Sequence, residues 1–162
     1  MISNSMQKAI NEQINKELFS AYLYLSMSAY FENNNLSGFA NWMRVQAEEE
    51  KGHAMKLYEH LVDRGGKVEL AAIAAPQIDW KSNLEVVKQV QEHEEYVTAS
   101  INSLYDLAVA EKDYPAQVLL QWFISEQVEE EKHASELVYQ VELLETKGSA
   151  LMMLDHVLSE RK

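Results

Sequence analysis

The chain has no cysteine, which rules out disulfides, thiolate zinc sites and cysteine-held clusters. Proline occurs twice and glycine five times in 162 residues, so long stretches carry nothing that breaks a helix. No apolar run reaches the roughly 20 residues that span a bilayer. The opening Met1-Ile2-Ser3-Asn4-Ser5-Met6 lacks the charged-then-apolar pattern of a secretory leader. A soluble, cytoplasmic protein with no membrane partner is expected. Basic residues are scarce too: 14 Lys and Arg stand against 26 Asp and Glu, a formal net charge of −12. Phosphate contacts need Lys and Arg, so nucleic acid is not an expected partner. A negative surplus solubilises a protein and also attracts cations.

What is present is helical periodicity. Hydrophobic residues make up 47% of the chain, and its length suits one domain over 1–162. Apolar residues recur in steps of three and four, which predicts helices over about 5–33, 37–64, 83–112, 115–146 and 149–159. The expected class is all-α: a four-helix bundle with a short fifth C-terminal helix. Residues Gly65 to Ser82 form one long irregular link. Extended, it spans about 60 Å, whereas the second helix is about 40 Å long. The link therefore reaches back along the bundle, and a crossover topology is expected between the second and third helices. The last short pattern, Leu151, Leu154 and Leu158, is marginal alone and is expected to pack on the bundle or on other subunits.

Each long stripe breaks near its middle. The first runs Met6, Ile10, Ile14, Leu18, Ala21 and Leu25, and Glu17 and Tyr24 share its face. The second runs Phe39, Met43, Gln46, Glu50, His53, Leu57 and Leu61. Glu94 interrupts the third, between Val90 and Val97, and Gln127 and Glu130 interrupt the fourth, between Phe123 and Ala134. An unpaired charge facing a core costs several kcal/mol, by a rough reckoning, or gives up its charge. Buried ion pairs are the plain explanation, but no Lys or Arg lies on these stripes to make them. Midpoints of equal helices meet at one level, so the four carboxylates converge. Their charge balances two Fe(II) ions, and oxygen ligands with one imidazole suit iron or manganese. On the fourth helix spacing leaves two registers open. Glu130 with His133 makes a second Glu-x-x-His, whereas Gln127 with Glu130 follows the stripe. His60, His93 and His156 have no clear partner and read as surface or packing histidines.

Several segments carry a resemblance: Asn11-Glu12-Gln13-Ile14-Asn15-Lys16-Glu17, Ala21-Tyr22-Leu23-Tyr24-Leu25, Gly38-Phe39-Ala40-Asn41-Trp42-Met43, Gln46-Ala47-Glu48-Glu49-Glu50, Gly52-His53-Ala54 and Glu126-Gln127-Val128-Glu129-Glu130-Glu131. In these the chain resembles the prokaryotic non-haem ferritins, close to end to end. The resemblance implies a ferritin-like bundle with a ferroxidase centre holding two irons per subunit. Glu17, Glu50 and His53 would hold one iron, and Glu50 would bridge to a second held also by Glu94 and Glu130. Gln127 and Tyr24 would be close neighbours, with Tyr24 and Glu50 serving the oxidation, Trp122 nearby and His133 off the site. Glu49, Glu126 and Glu129 resemble a third iron site on an inner surface; a solvated acidic face is the other reading. Haem is not expected, because bacterioferritins carry a His where Glu130 stands and a haem-ligating Met where Lys51 stands.

The function so implied is iron storage and detoxification. Fe(II) would be oxidised by O2 or H2O2 and deposited as ferric oxyhydroxide inside a 24-subunit homo-oligomeric shell, with the last helix at its four-fold contacts. Two alternatives stand beside it. One is a di-iron or di-manganese oxidoreductase acting on an organic substrate. The other is a shell that stores iron oxidised elsewhere.

Overall fold

The computed structural model describes residues 2–162, and among them the regular structure is five helices. They are α1 (Asn4–Asn33), α2 (Ser37–Asp63), α3 (Asn83–Ala110), α4 (Tyr114–Leu144) and α5 (Gly148–Leu158). Three long helices start where a polar side chain caps them. Ser3 accepts from the Met6 N–H, Ser82 from Glu85 and Asp113 from Ala116, just ahead of Pro115 in the first turn of α4. Gly65 ends α2 at φ +69°, a conformation that favours glycine.

The core lies in two apolar clusters, and their membership gives the direction of each helix. One contains Leu23 to Phe31 of α1, Phe39 to Ala47 of α2, Val86 to Val90 of α3 and Ala134 to Val141 of α4. The other contains Met6 to Ile14, Ala54 to Leu61, Val97 to Ala108 and Ala116 to Phe123. Helices α1 and α4 therefore run one way and α2 and α3 the other. That is the crossover topology the long link requires.

The link is stapled to the outside of α1 by polar side chains, the first three of them one turn apart and the fourth about three turns further on. Gln7 Oε1 accepts from the Lys67 N–H (2.8 Å), and Asn11 bonds Lys67 and Glu69. Asn15 reaches the carbonyls of Ala71 and Ala72, and Ser26 that of Gln77. Trp80 ends the link, buried edge-on against Tyr30. Helix α5 docks on α2 and α4 through Leu154 and Leu158.

The inner face of α1 differs from its expected stripe in the second half. After Glu17 the buried residues are Ser20, Leu23, Tyr24, Met27, Ser28 and Phe31. Leu18 and Ala21 are only half-buried, and Leu25 is 49% exposed. Repeated steps of four gain about 40° per step on a helix of 3.6 residues per turn, so that pattern drifts off the face.

Candidate metal centre

Between the two apolar clusters lies one polar layer. Glu17, Glu50, Glu94 and Glu130, one from each long helix, are all buried there, with His53 and Gln127. No Lys or Arg is buried among the described residues, so nothing cationic balances the four carboxylates.

Ligand atoms of Glu17, Glu50 and His53 all lie within 4.8 Å of one another. His53 Nδ1 stands 3.5 Å from Glu50 Oε2 and 3.9 Å from Glu17 Oε2. All three atoms are buried and none has a hydrogen-bond partner. Unpaired polar atoms in a core are costly, and three facing one another suit a cation placed between them. A second group overlaps the first: His53, Glu126 and Glu130 also bring ligand atoms within 4.8 Å of one another. Oxygen atoms with a single imidazole fit iron or manganese.

Four other carboxylate oxygens of the layer are held by hydrogen bonds. The Tyr24 hydroxyl donates to Glu94 Oε1. Gln127 Nε2 lies 3.2 Å from Glu94 Oε2 and 3.2 Å from Thr98 Oγ1. Gln46 Nε2 donates to Glu130 Oε2 at 2.7 Å, and Gln13 Nε2 to Glu17 Oε1 at 2.8 Å. On one side of the layer, the rings of Trp122 and Phe123 meet His53 nearly edge-on at 5.5 and 5.9 Å.

Burial sets the electrostatics. Desolvation, then the charge of Glu50, pushes Glu17 well above the usual carboxylate range. Desolvation, then Glu94, does the same to Glu50. Glu94 is also raised by burial, although Tyr24 and Gln127 counter it. Glu130 is pushed up to about 7, by burial first and by Glu94 second. The Tyr24 phenol is raised well above its ordinary value by burial and by the neighbouring carboxylates. Without a cation, the layer retains protons.

The six expected residues of the centre thus meet at one level, with Tyr24 beside them. His133 is exposed and off the layer. Glu49, Glu126 and Glu129 form no such three-ligand group with one another. Glu126 stands with His53 and Glu130, Glu129 is exposed, and Glu49 is paired with Arg161 at 2.5 Å. The sequence reading gave no role to Gln13 and Gln46. Each stands four residues before a buried Glu, a spacing that lets an amide reach it. His93 does have partners: its Nε2 lies 2.7 Å from Ser20 Oγ and its ring meets Tyr24 edge-on at 6.0 Å. Burial lowers it to about 4.

Comparison with known proteins points one way. The family model of the ferritin-like domain matches residues 7–144. The bacterial non-heme ferritin of Bacteroides fragilis is 42% identical over 161 residues, covering 99% of this chain and 100% of that protein. The bacterial non-heme ferritin of Campylobacter jejuni is 39% identical over 158 residues, covering 98% and 95%. The crystal structure of an open-pore ferritin from Archaeoglobus fulgidus superposes with a TM-score of 0.98 at 46% identity, covering all of both chains. An engineered closed form of that archaeal ferritin gives 0.99 over 100% of this chain and 99% of the other.

Proposed function

The chain belongs to the ferritin-like domain family, and on that premise we propose that it stores iron by oxidising it at the buried layer. The observation that carries this reading is the convergence of Glu17 Oε2, Glu50 Oε2 and His53 Nδ1, three buried ligand atoms without partners. Iron is substrate and cargo here. Glu17, Glu50 and His53 take one Fe(II). Glu50 is shared with a second, held by Glu94 and Glu130. Gln127 and Tyr24 orient Glu94. The two ions give up one electron each, and O2 with two protons leaves as H2O2. Carboxylate oxygens favour the ferric product over the ferrous substrate. Entry of two dications replaces the retained protons and neutralises the layer.

Glu126, which shares His53 and Glu130, is the first step outward for the ferric product, with Glu49 and Glu129 beyond it. The product collects as ferric oxyhydroxide inside a 24-subunit shell of identical chains in the cytoplasm. Support for assembly comes from the ferritin relatives and from apolar side chains left exposed on α4 and α5, among them Val118, Met153 and Val157.

The test is aerobic addition of Fe(II) to purified protein, followed by gel filtration with iron detection. The expected result is iron in large excess over subunits, eluting with a particle many times the chain mass of 18.6 kDa. Iron held at about two per chain in a small oligomer would favour a di-iron oxidoreductase with an organic substrate. Glu50→Ala is the companion variant: it is expected to abolish the rapid phase of oxidation, and wild-type kinetics would overturn the site assignment.

A further inference from the structure

A hydrogen-bonded chain runs from the surface of the bundle to Glu17. Lys16 Nζ, half-buried on α1, donates to Ser100 Oγ on α3 at 2.6 Å. Ser100 Oγ donates to Gln13 Oε1 at 2.6 Å. Gln13, only 2% exposed, passes the chain on through its Nε2 to Glu17 Oε1 at 2.8 Å.

The direction of this chain follows from its first member. An ammonium has donors only, so it takes a lone pair of Ser100 and leaves the hydroxyl proton to be given elsewhere. The Gln13 carbonyl oxygen accepts the hydrogen bond that this hydroxyl donates. The amide must then turn its NH2 group toward Glu17; in the flipped orientation its oxygen would face a carboxylate. One oxygen of Glu17 is thereby occupied, and the other, Oε2, is left unpartnered 3.9 Å from His53 Nδ1. The second buried glutamine shows the contrast. Gln46 also donates to a carboxylate, but its own Oε1 has no partner, so nothing locks it.

We propose that Lys16, Ser100 and Gln13 are positioning residues that fix which oxygen of Glu17 is offered to a divalent cation. The inference rests on the reading of Glu17 as a ligand. Its effect is orientation: a surface cation, through two intermediate groups, holds one buried carboxylate in the pose that binds.

The test uses Co(II), which reports ligand geometry in its visible spectrum and needs no oxidation. Ser100→Ala and Lys16→Met are each expected to weaken the tightest Co(II) site about five-fold, the factor that one ordinary hydrogen bond carries. The Co(II) band should shift, and the number of ions per chain should not change. Ser100→Thr, which keeps the hydroxyl, should restore affinity and spectrum. The double variant should bind no more weakly than Ser100→Ala alone, since both changes cut one chain. Wild-type affinity in Ser100→Ala, failure of Ser100→Thr to rescue, or additive losses in the double variant would each overturn the relay. Absence of a tight Co(II) site in the unaltered protein would instead overturn the reading of Glu17 on which it rests. Lys16 is half-buried at the bundle surface, so its variant remains informative if Ser100→Ala folds poorly.

Discussion

The carboxylate of Asp155, on α5, accepts hydrogen bonds from the backbone N–H groups of Gly38 (2.8 Å) and Phe39 (2.9 Å) in the first turn of α2. The residue in the N-cap position of α2 is Leu36, which supplies no side-chain cap. The last helix thus caps the second from a distance of 117 residues in sequence. The approach is close: a Cβ on Gly38 would lie 1.6 Å from the Asp155 carbonyl oxygen.

Two substitutions follow from that contact. Asp155→Ala is expected to cost about 1 kcal/mol, the worth of an N-cap. Gly38→Ala would gain up to about 1 kcal/mol of helix propensity on an exposed helix. Here it is expected to lower the melting temperature, because α5 must move. Calorimetry with hydrogen exchange across residues 148–158 checks both. A Gly38→Ala protein that melts higher with α5 still protected would contradict the contact.

The metal-free protein should lose stability as pH rises. The folded-state values of Glu17, Glu50 and Glu94 are raised, and Glu130 reaches about 7. The folded layer therefore holds protons that the unfolded chain gives up. That stabilisation is complete below the ordinary carboxylate value and is lost as pH climbs through 7, at about 1.4 kcal/mol per pH unit for each proton. His93, lowered to about 4, acts in the opposite sense, but only below the ordinary imidazole value. The clean window is pH 6.5 to 8.5. There the melting temperature of chelator-treated protein should fall, and saturation with Zn(II) should flatten the slope.

Glu94 sets two effects against each other. Glu94→Leu removes one of four crowded negative charges, which favours the metal-free fold. It also leaves the buried Tyr24 hydroxyl without its acceptor, at a cost of about 1–3 kcal/mol. Adding Tyr24→Phe removes that cost. The double variant is expected to melt above Glu94→Leu alone and above the unaltered metal-free protein at pH 8. A double variant that melts below the single would show that Tyr24 finds another partner.

Arg161 holds the C-terminal segment by its guanidinium, which lies 4.5 Å from the Trp42 ring centroid and donates to Glu49. Asn41 adds a hydrogen bond to the Arg161 carbonyl at 3.0 Å. Both ionic partners are partly exposed, so Arg161→Ala should cost no more than about 1 kcal/mol of global stability. Its effect should appear locally, as faster hydrogen exchange in α5 and a Glu49 free to meet cations. Unchanged exchange would mean the segment is held elsewhere.

Periodicity made the architecture and most of the polar layer legible. Ionisable side chains at the core positions of Glu50, His53, Glu94 and Glu130 are loud signals, because a helix face otherwise excludes them. Gln13 and Gln46 are quieter, since a buried glutamine differs from a core residue only by an amide that must find partners. His93 could not be placed without knowing that α3 lies across from Ser20. Asp155 was out of reach for a similar reason: its partner is backbone on another helix, and backbone leaves no mark in the residue pattern. Whether Glu49 serves a third site or a solvated acidic face was not legible, because it neighbours Glu50 in sequence while adjacent helical residues point about 100° apart.

The belt of carboxylates separates two apolar half-cores, and each long helix enters one half and leaves through the other. Each half can therefore drift, or change length by a whole turn, while the other stays as it is. Such changes leave the belt in register as long as all four long helices cross it at the same height. The belt is thus anchored to the waist of the molecule, where all four long helices pass, and not to either end.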